Sequence, residues 1–341
     1  MWRLLQPRPL LLLFPDLLVS TAAQRAERPR DGQAFRRPLL APWWRTLEER
    51  DRLLFEHAGR VVELNGRAVR ALLPTLIPLL DGTHTVQEIV EILGVAAEAP
   101  IARALALLDD HGVLVEGPGS ESAGACYVAA VCSSTPGAVS SALASSRVAI
   151  LGSAPAGAEI SRLLESAGAV GTTSAPIDGP QLEMDADLIV AAPAAEETAC
   201  LAGLNEGRLR DGTPWLVLLP TDGRFAAIGP LYVPGQTACH ACYLLRRGAT
   251  SGYEQDFALI ERRPVRASMP GAASGIAAGL AALICLRWLG ARDPTLPGVL
   301  HALELQGPFA VTRHRVLRVP RCPACAVPSP PPSPWFRELD A

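Results

Sequence analysis

Apolar and polar residues alternate along this chain with two periods, and the change between them divides it. Leu53-Leu54-Phe55-Glu56 and Arg60-Val61-Val62-Glu63-Leu64 are short strand-like runs around His57-Ala58-Gly59, which predicts a hairpin with glycine in its turn. The period then lengthens. Val69, Leu72, Leu73, Leu76, Ile77 and Leu80 share one helical face, and Pro74 and Pro78 predict a kink or early stop ahead of Asp81-Gly82. A second helix opens with the capping box Thr85-x-x-Glu88, buries Val86, Ile89, Val90 and Leu93, and ends at Gly94. The third has Pro100 in its first turn and Ile101, Leu105 and Leu108 on one face, and closes at Gly112. Val113-Leu114-Val115 reads as a final strand or wing. Hairpin, three helices and wing predict a small winged helix-turn-helix domain over residues 37–116.

Residues 117–146 are rich in Gly, Ala and Ser and read as a linker. A βα unit follows: Val148-Ala149-Ile150-Leu151, the turn Gly152-Ser153-Ala154-Pro155-Ala156-Gly157, and a helix from Ala158 to Ala167. Asp187 to Ala192 and Trp215 to Leu219 are continuous apolar strands with helical sequence between them. The fold class is therefore α/β, with a doubly wound parallel sheet of the Rossmann type in the second domain, residues 147–327. Further strands are expected near Val299 to Leu305 and Ala310 to Leu317.

The ends stand apart from this pattern. In residues 1–36, Arg3 and Arg8, the apolar run Leu10 to Phe14 and Ser20-Thr21-Ala22-Ala23 are signal-like, but Pro15 and Asp16 interrupt the run. A poorly ordered extension is the expectation there. Residues 328–341 are a Pro-rich tail. Gly271 to Leu286 is free of charge but shorter than the roughly twenty apolar residues that span a bilayer, and Arg287 follows. It reads as a buried helix with small residues for close packing, compatible with a homodimer interface, and no membrane segment is expected.

Composition narrows the chemistry. With 341 residues, 49% hydrophobic and 19% charged, the chain has enough apolar sequence for two globular cores. A net charge of −3 leaves no nucleic-acid footprint. The third helix carries Arg103 as its only base, beside Asp109 and Asp110, which argues against reading DNA. All 31 basic residues are arginines, so a phosphate-gripping ammonium or a lysine Schiff base cannot come from this chain.

Four of the eight cysteines form two knuckles, Cys239-His240-Ala241-Cys242 and Cys322-Pro323-Ala324-Cys325. Two C-x-x-C turns supply the four thiolates that a tetrahedral structural Zn2+ requires. A redox dithiol, which needs only one such pair, and two disulfides are the competing readings. Cys126, Cys132, Cys200 and Cys285 are scattered without a framework, so a reducing, cytoplasmic setting is expected. Cys200 as an acyl-accepting thiol is weighed against a plain structural role, which is the simpler reading.

Two resemblances join these features. Pro38-Leu39-Leu40-Ala41-Pro42, the hairpin, Leu79-Leu80-Asp81-Gly82-Thr83-His84-Thr85 and Leu107-x-x-x-His111-Gly112-Val113-Leu114 resemble the PqqD-like RiPP recognition element. That resemblance implies capture of the leader segment of a ribosomally made precursor peptide as a strand added between the third strand and the third helix. Carried over, the peptide-binding positions are Arg60, Val61, Val62, Glu63 and Leu64 on the strand, with Ile101, Arg103, Leu105 and Leu108 on the helix. The apolar helix positions read at least as well as core, which leaves Arg103 for direct contact. Ile228-Gly229-Pro230-Leu231-Tyr232-Val233-Pro234-Gly235, Cys239-x-x-Cys242-x-x-x-Arg246 and the second knuckle resemble the ThiF-like adenylating fold. More narrowly, they look like the ThiF-like partner proteins of YcaO cyclodehydratases in azoline-forming (TOMM) pathways. The resemblance implies zinc in the two knuckles and a homodimer.

The nucleotide features that an adenylating enzyme needs are eroded. Gly152 and Gly157 remain, but Ala154 stands at the central glycine and Pro155 removes an N–H donor. Beyond Val170 the sequence Gly171-Thr172-Thr173-Ser174 has no acid for a ribose, and Asp178 comes late. Ala192-Pro193 stands where the family's metal-binding aspartate is expected, and no lysine exists. The reading is a degenerate nucleotide loop without ATP and without catalytic residues: a leader-peptide-binding partner of a YcaO cyclodehydratase in bacteriocin-type biosynthesis. An active ATP-dependent adenylating enzyme acting on a peptide or carrier-protein C-terminus, and a zinc-stabilised winged-helix DNA-binding regulator, are the alternatives.

Overall fold

A computed structural model describes residues 35–49, 52–169, 171–177, 185–261 and 269–326. The expectations for the extension before Phe35, for Val170 and Asp178, and for the proline-rich tail lie outside the described residues.

The N-terminal part begins with β1 (Pro38–Leu40), β2 (Arg45–Glu48), β3 (Arg52–His57) and β4 (Arg60–Asn65). Among the described residues, β2, β3 and β4 form an antiparallel sheet in that order. The sequence pattern shows only β3 and β4, because Arg45-Thr46-Leu47-Glu48 is largely exposed and lacks an apolar alternation. Leu53, Phe55, Val62 and Leu64 face inward, the period-2 pattern of a sheet with one buried face. The hairpin turn is Ala58-Gly59, with φ of +50° and +80°, the signature of a type I′ turn. Alanine is strained at such an angle where glycine is not. Ala58→Gly is accordingly expected to stabilise the protein by about 0.5–1 kcal/mol, read as a raised thermal midpoint.

Helices α1 (Arg67–Leu76), α2 (Val86–Leu93) and α3 (Glu98–Asp110) follow. After Pro74, and with Pro78 next, α1 tightens into a 3-10 turn at Ile77–Leu79. The capping box of α2 is formed: the Thr85 hydroxyl accepts from Glu88 N at 3.2 Å, and Glu88 Oε2 accepts from Thr85 N at 2.7 Å. The expected wing, β5 (Leu114–Glu116), does not extend the hairpin; it pairs antiparallel with β1. Contacts around Asp81-Gly82 hold that clasp, with Leu40 N donating to Leu80 O at 2.8 Å and Ala41 N to Val113 O at 2.9 Å.

The stretch expected to be a linker is instead structural. It forms α4 (Ala123–Cys132) and α5 (Pro136–Ala144), capped by the hydroxyls of Ser122 and Thr135. Ala125, Val128, Ala129, Val139 and Leu143 are completely buried. Its small residues serve close packing: a Cβ on Gly124 would come within 2.7 Å of Ala167 Cβ.

The larger sheet comprises β6 (Arg147–Leu151), β7 (Gly171–Ala175), β8 (Leu188–Ala191), β9 (Trp215–Leu219), β10 (Phe225–Tyr232), β11 (Val299–Glu304) and β12 (Val311–Arg315). Their spatial order is β12-β11-β10-β9-β8-β6-β7. Strands β7, β6, β8 and β9 are parallel as expected, whereas β10, β11 and β12 add antiparallel, so the sheet is mixed. Only five residues, 220–224, join β9 to β10, too few for a parallel crossover. The other helices are α6 (Pro155–Ser166), α7 (Leu201–Asp211), α8 (His240–Thr250), α9 (Glu254–Glu261) and α10 (Gly271–Ala291). One sheet face, with Val148, Ile150, Leu188, Val190 and Leu216, packs on α4, α5, α6 and α10. The other, with Ala149, Ile189, Ala191, Trp215 and Val217, packs on α7 and Tyr243 of α8. Covering both faces explains the uninterrupted apolar strands. By length and composition α10 could cross a bilayer, yet its Ala277, Ala278, Ala281, Ala282, Cys285 and Leu289 lie in this core.

Candidate functional site

Chain segments far apart in sequence converge on the cysteine knuckles. After β10, the turn Val233–Thr237 is closed by Thr237, whose hydroxyl accepts from Val233 N at 3.0 Å. Cys239 is the N-cap of α8 and Cys242 lies in its first turn. One turn later on the same face, Arg246 donates to Leu317 O at 2.5 Å and Arg318 O at 2.9 Å. That contact straps the segment after β12 against α8 and brings Cys322 and Cys325 opposite the first pair. The sulfurs are 3.8 Å apart for Cys239–Cys242, 3.7 Å for Cys239–Cys322 and 3.5 Å for Cys242–Cys325, and all four lie within 4.8 Å of one another. Four ligands at a Zn–S distance of about 2.3 Å sit about 3.8 Å apart on a tetrahedron, whereas a disulfide needs about 2.0 Å. The spacing fits one closed tetrahedral metal ion.

Four cysteines so placed could hold a metal ion. Burial pushes the Cys239 and Cys325 thiols up. Burial acts the same way on Cys322, but N–H donors from Ala324 and Cys325 and the neighbouring sulfurs outweigh it and bring that thiol to about 7. Val319 N points at Cys242 Sγ at 3.3 Å. Behind the knuckle, His240 N donates to Asn205 Oδ1 at 2.9 Å, and its Nδ1 lies 3.2 Å from the Tyr232 hydroxyl. Burial lowers the His240 ring to about 4, so it is neutral. Asn205 and Tyr232 were not legible as supports of the knuckle, since nothing in their local sequence marks them.

The proposed peptide positions divide by burial. Val62, Leu64, Ile101, Leu105 and Leu108 are buried and belong to the N-terminal core, while Arg60, Val61, Glu63 and Arg103 are exposed. β4 is an edge: among the described residues no strand pairs with its outer side. The two-residue turn makes His57–Arg60 a hydrogen-bonded pair, and antiparallel alternation then leaves the N–H and C=O of Val61 and Glu63 pointing outward. Val61 is 60% exposed. Trp44, unmarked in the sequence pattern, connects the edge to the turn after α3: its indole N–H donates to Gly112 O at 3.0 Å, and the Arg60 guanidinium lies over its ring at 5.6 Å.

The turn after β6 keeps its glycines for internal reasons. Gly152 has φ +105°, and a Cβ there would lie 2.4 Å from Ala192 O. Gly157 packs on β6, where a Cβ would be 3.1 Å from Ile150 Cγ2. Ala154 N donates to Ala192 O at 3.1 Å, and Ala192-Pro193 continues directly from β8. Cys200 is half-buried against the α7-side core.

No protein family and no curated protein matches this sequence. Solved structures do match the fold. The heterocyclase TruD superposes with a TM-score of 0.66 and 25% identity, over 85% of this chain and 43% of TruD. A heterocyclase in complex with substrate and cofactor gives 0.64 and 20%, over 85% of this chain and 39% of that one. MccB of E. coli with AMPCPP and MccA gives 0.59 and 15%, over 85% of this chain and 99% of MccB. The chain thus spans less than half the length of the heterocyclases that it matches.

Proposed function

We propose that this protein is a leader-peptide-binding, non-catalytic partner of a YcaO cyclodehydratase, which presents a ribosomal precursor peptide for thiazoline or oxazoline formation. The observation that carries this reading is the likeness to the heterocyclase TruD across 85% of the chain. The outer edge of β4, unpaired among the described residues, supports it, since an extended peptide gains main-chain hydrogen bonds by adding a strand there. In this reading residues 37–116 are a PqqD-like winged-helix element, and the leader lies along Val61 and Glu63 with Arg103 of α3 alongside. The four-cysteine centre holds one structural Zn2+, closed to substrate because all four positions are protein ligands. The protein acts in the cytoplasm, as a homodimer by the ThiF-like resemblance. Ala154, Pro155 and Ala192-Pro193, with no lysine in the chain, support a nucleotide loop that no longer serves catalysis. A fluorescently labelled leader from a precursor gene beside this one should bind the purified protein with saturable affinity; failure of every such leader to bind would overturn the proposal.

The likeness to MccB bound to AMPCPP favours a second reading, an active adenylating enzyme. ATP–pyrophosphate exchange by the purified protein alone decides for it.

A further inference from the structure

The topology marks one crevice of the larger sheet as the place for a ligand. From β6 the chain passes to β7 on one side and then returns across β6 to β8 on the other. In an open α/β sheet such a reversal leaves a gap outside the carboxyl ends of the two strands, and ligands bind there, with anions on the N–H groups of the turn that opens the next helix. Here that turn is Gly152–Ala154, leading into α6.

Each N–H of the turn is already engaged. Gly152 N donates to Ala175 O at 3.1 Å and Ala154 N to Ala192 O at 3.1 Å, while Pro155 has none to offer. The remaining donor, Ser153 N, points into the crevice and meets a carboxylate: Glu197 Oε2 at 2.9 Å. The same oxygen accepts from Ala194 N at 2.7 Å. Glu197 is half-buried in the 3-10 turn 195–200 that follows β8, so the strand on the far side of the crevice sends an anion back into it.

We infer that the Glu197 carboxylate is a built-in anion that occupies the turn's anion position, so that the chain itself excludes nucleotide phosphate from this crevice. The inference rests on the non-adenylating part of the function proposed above and gives it a physical cause beyond missing residues. A phosphate entering the crevice must displace a negative charge from two backbone donors, and Gly152 pressed on Ala192 O leaves the turn no room to retreat. The ionised form is the one these contacts favour: burial opposes it, but the N–H groups of Ser153 and Ala194 outweigh burial and hold the carboxyl below its usual range.

Full-length protein carrying Glu197→Gln or Glu197→Ala, compared with wild type, tests this. The amide in Glu197→Gln can still accept from both N–H groups, so that variant keeps the fold if the alanine variant does not. With inorganic pyrophosphate at millimolar concentration, wild type is expected to keep its melting temperature, and both variants to gain about 2 °C or more, because alanine vacates the two donors and the neutral amide yields them to an anion without a negative charge to repel it. The stability difference between wild type and Glu197→Gln should be full above the ordinary glutamate range and lost as pH falls through the lowered Glu197 value, the sign for a carboxylate whose folded pKa is depressed. Variants as indifferent to pyrophosphate as wild type, or wild type stabilised by it, would overturn the inference. Leader binding by the same variants reports separately on the proposed function.

Discussion

Replacing any one of Cys239, Cys242, Cys322 or Cys325 with serine is expected to unfold the second half of the chain, with loss of one equivalent of bound zinc. The segment from Val316 to Ala326 has little else to hold it. Its local apolar cluster is small, and Cys239, Cys242 and Cys322 are three of its four buried members, beside Ala238. Its ties to the rest of the fold include the two donations from Arg246, the contact of Val319 N with Cys242 Sγ, the donation of Arg318 Nε to Thr237 O at 3.0 Å and that of Val316 N to Gly298 O at 2.9 Å. Structural zinc sites of this kind bind with about 10–16 kcal/mol, comparable to the roughly 5–15 kcal/mol that stabilises a whole domain. Loss of one ligand therefore exceeds what the segment's few hydrogen bonds, each contributing about 0.5–1.5 kcal/mol net, can offset. Elemental analysis of reduced wild-type protein should find one zinc per chain. Circular dichroism and limited proteolysis should show the variants open from α8 onward. A serine variant that retains the wild-type melting transition, or metal-free protein that is equally stable, contradicts a structural zinc.

Val61→Pro is expected to weaken leader binding at least about tenfold while leaving the fold intact. Proline removes the N–H that points outward from β4 and fits poorly beside an added strand, and a tenfold loss corresponds to about 1.4 kcal/mol, or one to two main-chain hydrogen bonds. The pairing of β3 with β4 does not use that N–H, since Glu56–Val61 is a non-hydrogen-bonded pair by alternation from the turn. Val61→Ala serves as the control: it trims an exposed side chain, keeps the backbone donor and should change binding little. Fluorescence anisotropy with a labelled leader reads both, and the melting temperature confirms that folding survives. Equal losses for the two variants would place the interaction in the side chain; no loss for either would remove the β4 edge from the binding site.

Both predictions draw on features that differ in how visible they were. The cysteine ligands were legible because a C-x-x-C turn is a local object: two residues fix the geometry of each pair, and only the meeting of the pairs is long-range. The capping box of α2 and the helix-breaking prolines of α1 are local in the same way, and each stands where the pattern put it. The linker reading of residues 117–146 failed because Ala, Gly and Ser have two uses. In a solvated chain they mean freedom; packed on α10 they permit helices to approach closely, and the hydropathy of a small residue does not distinguish these. The capping signals Ser122 and Thr135-Pro136 were present, but they are weak without an apolar stripe of large side chains. Strand β2 was missed for the opposite reason: its pairing is through backbone, and its side chains are mostly exposed.

What the amino-acid sequence determined by itself was the set of elements and the chemistry they could carry: a hairpin, helices with marked ends, apolar strands for a sheet covered on both faces, four thiolates in two knuckles and no lysine. These follow from neighbours within a few residues of each other, where spacing and side-chain type decide the outcome. Tertiary structure alone decided the partners. It paired β5 with β1 instead of the hairpin, turned β10, β11 and β12 antiparallel, left the outer edge of β4 without a strand partner among the described residues, and brought the four sulfurs within 4.8 Å of one another. It also set Glu197 on the N–H of Ser153, 44 residues earlier in the chain. No local spacing encodes such a contact, because it depends on where two strand ends meet once the sheet has formed.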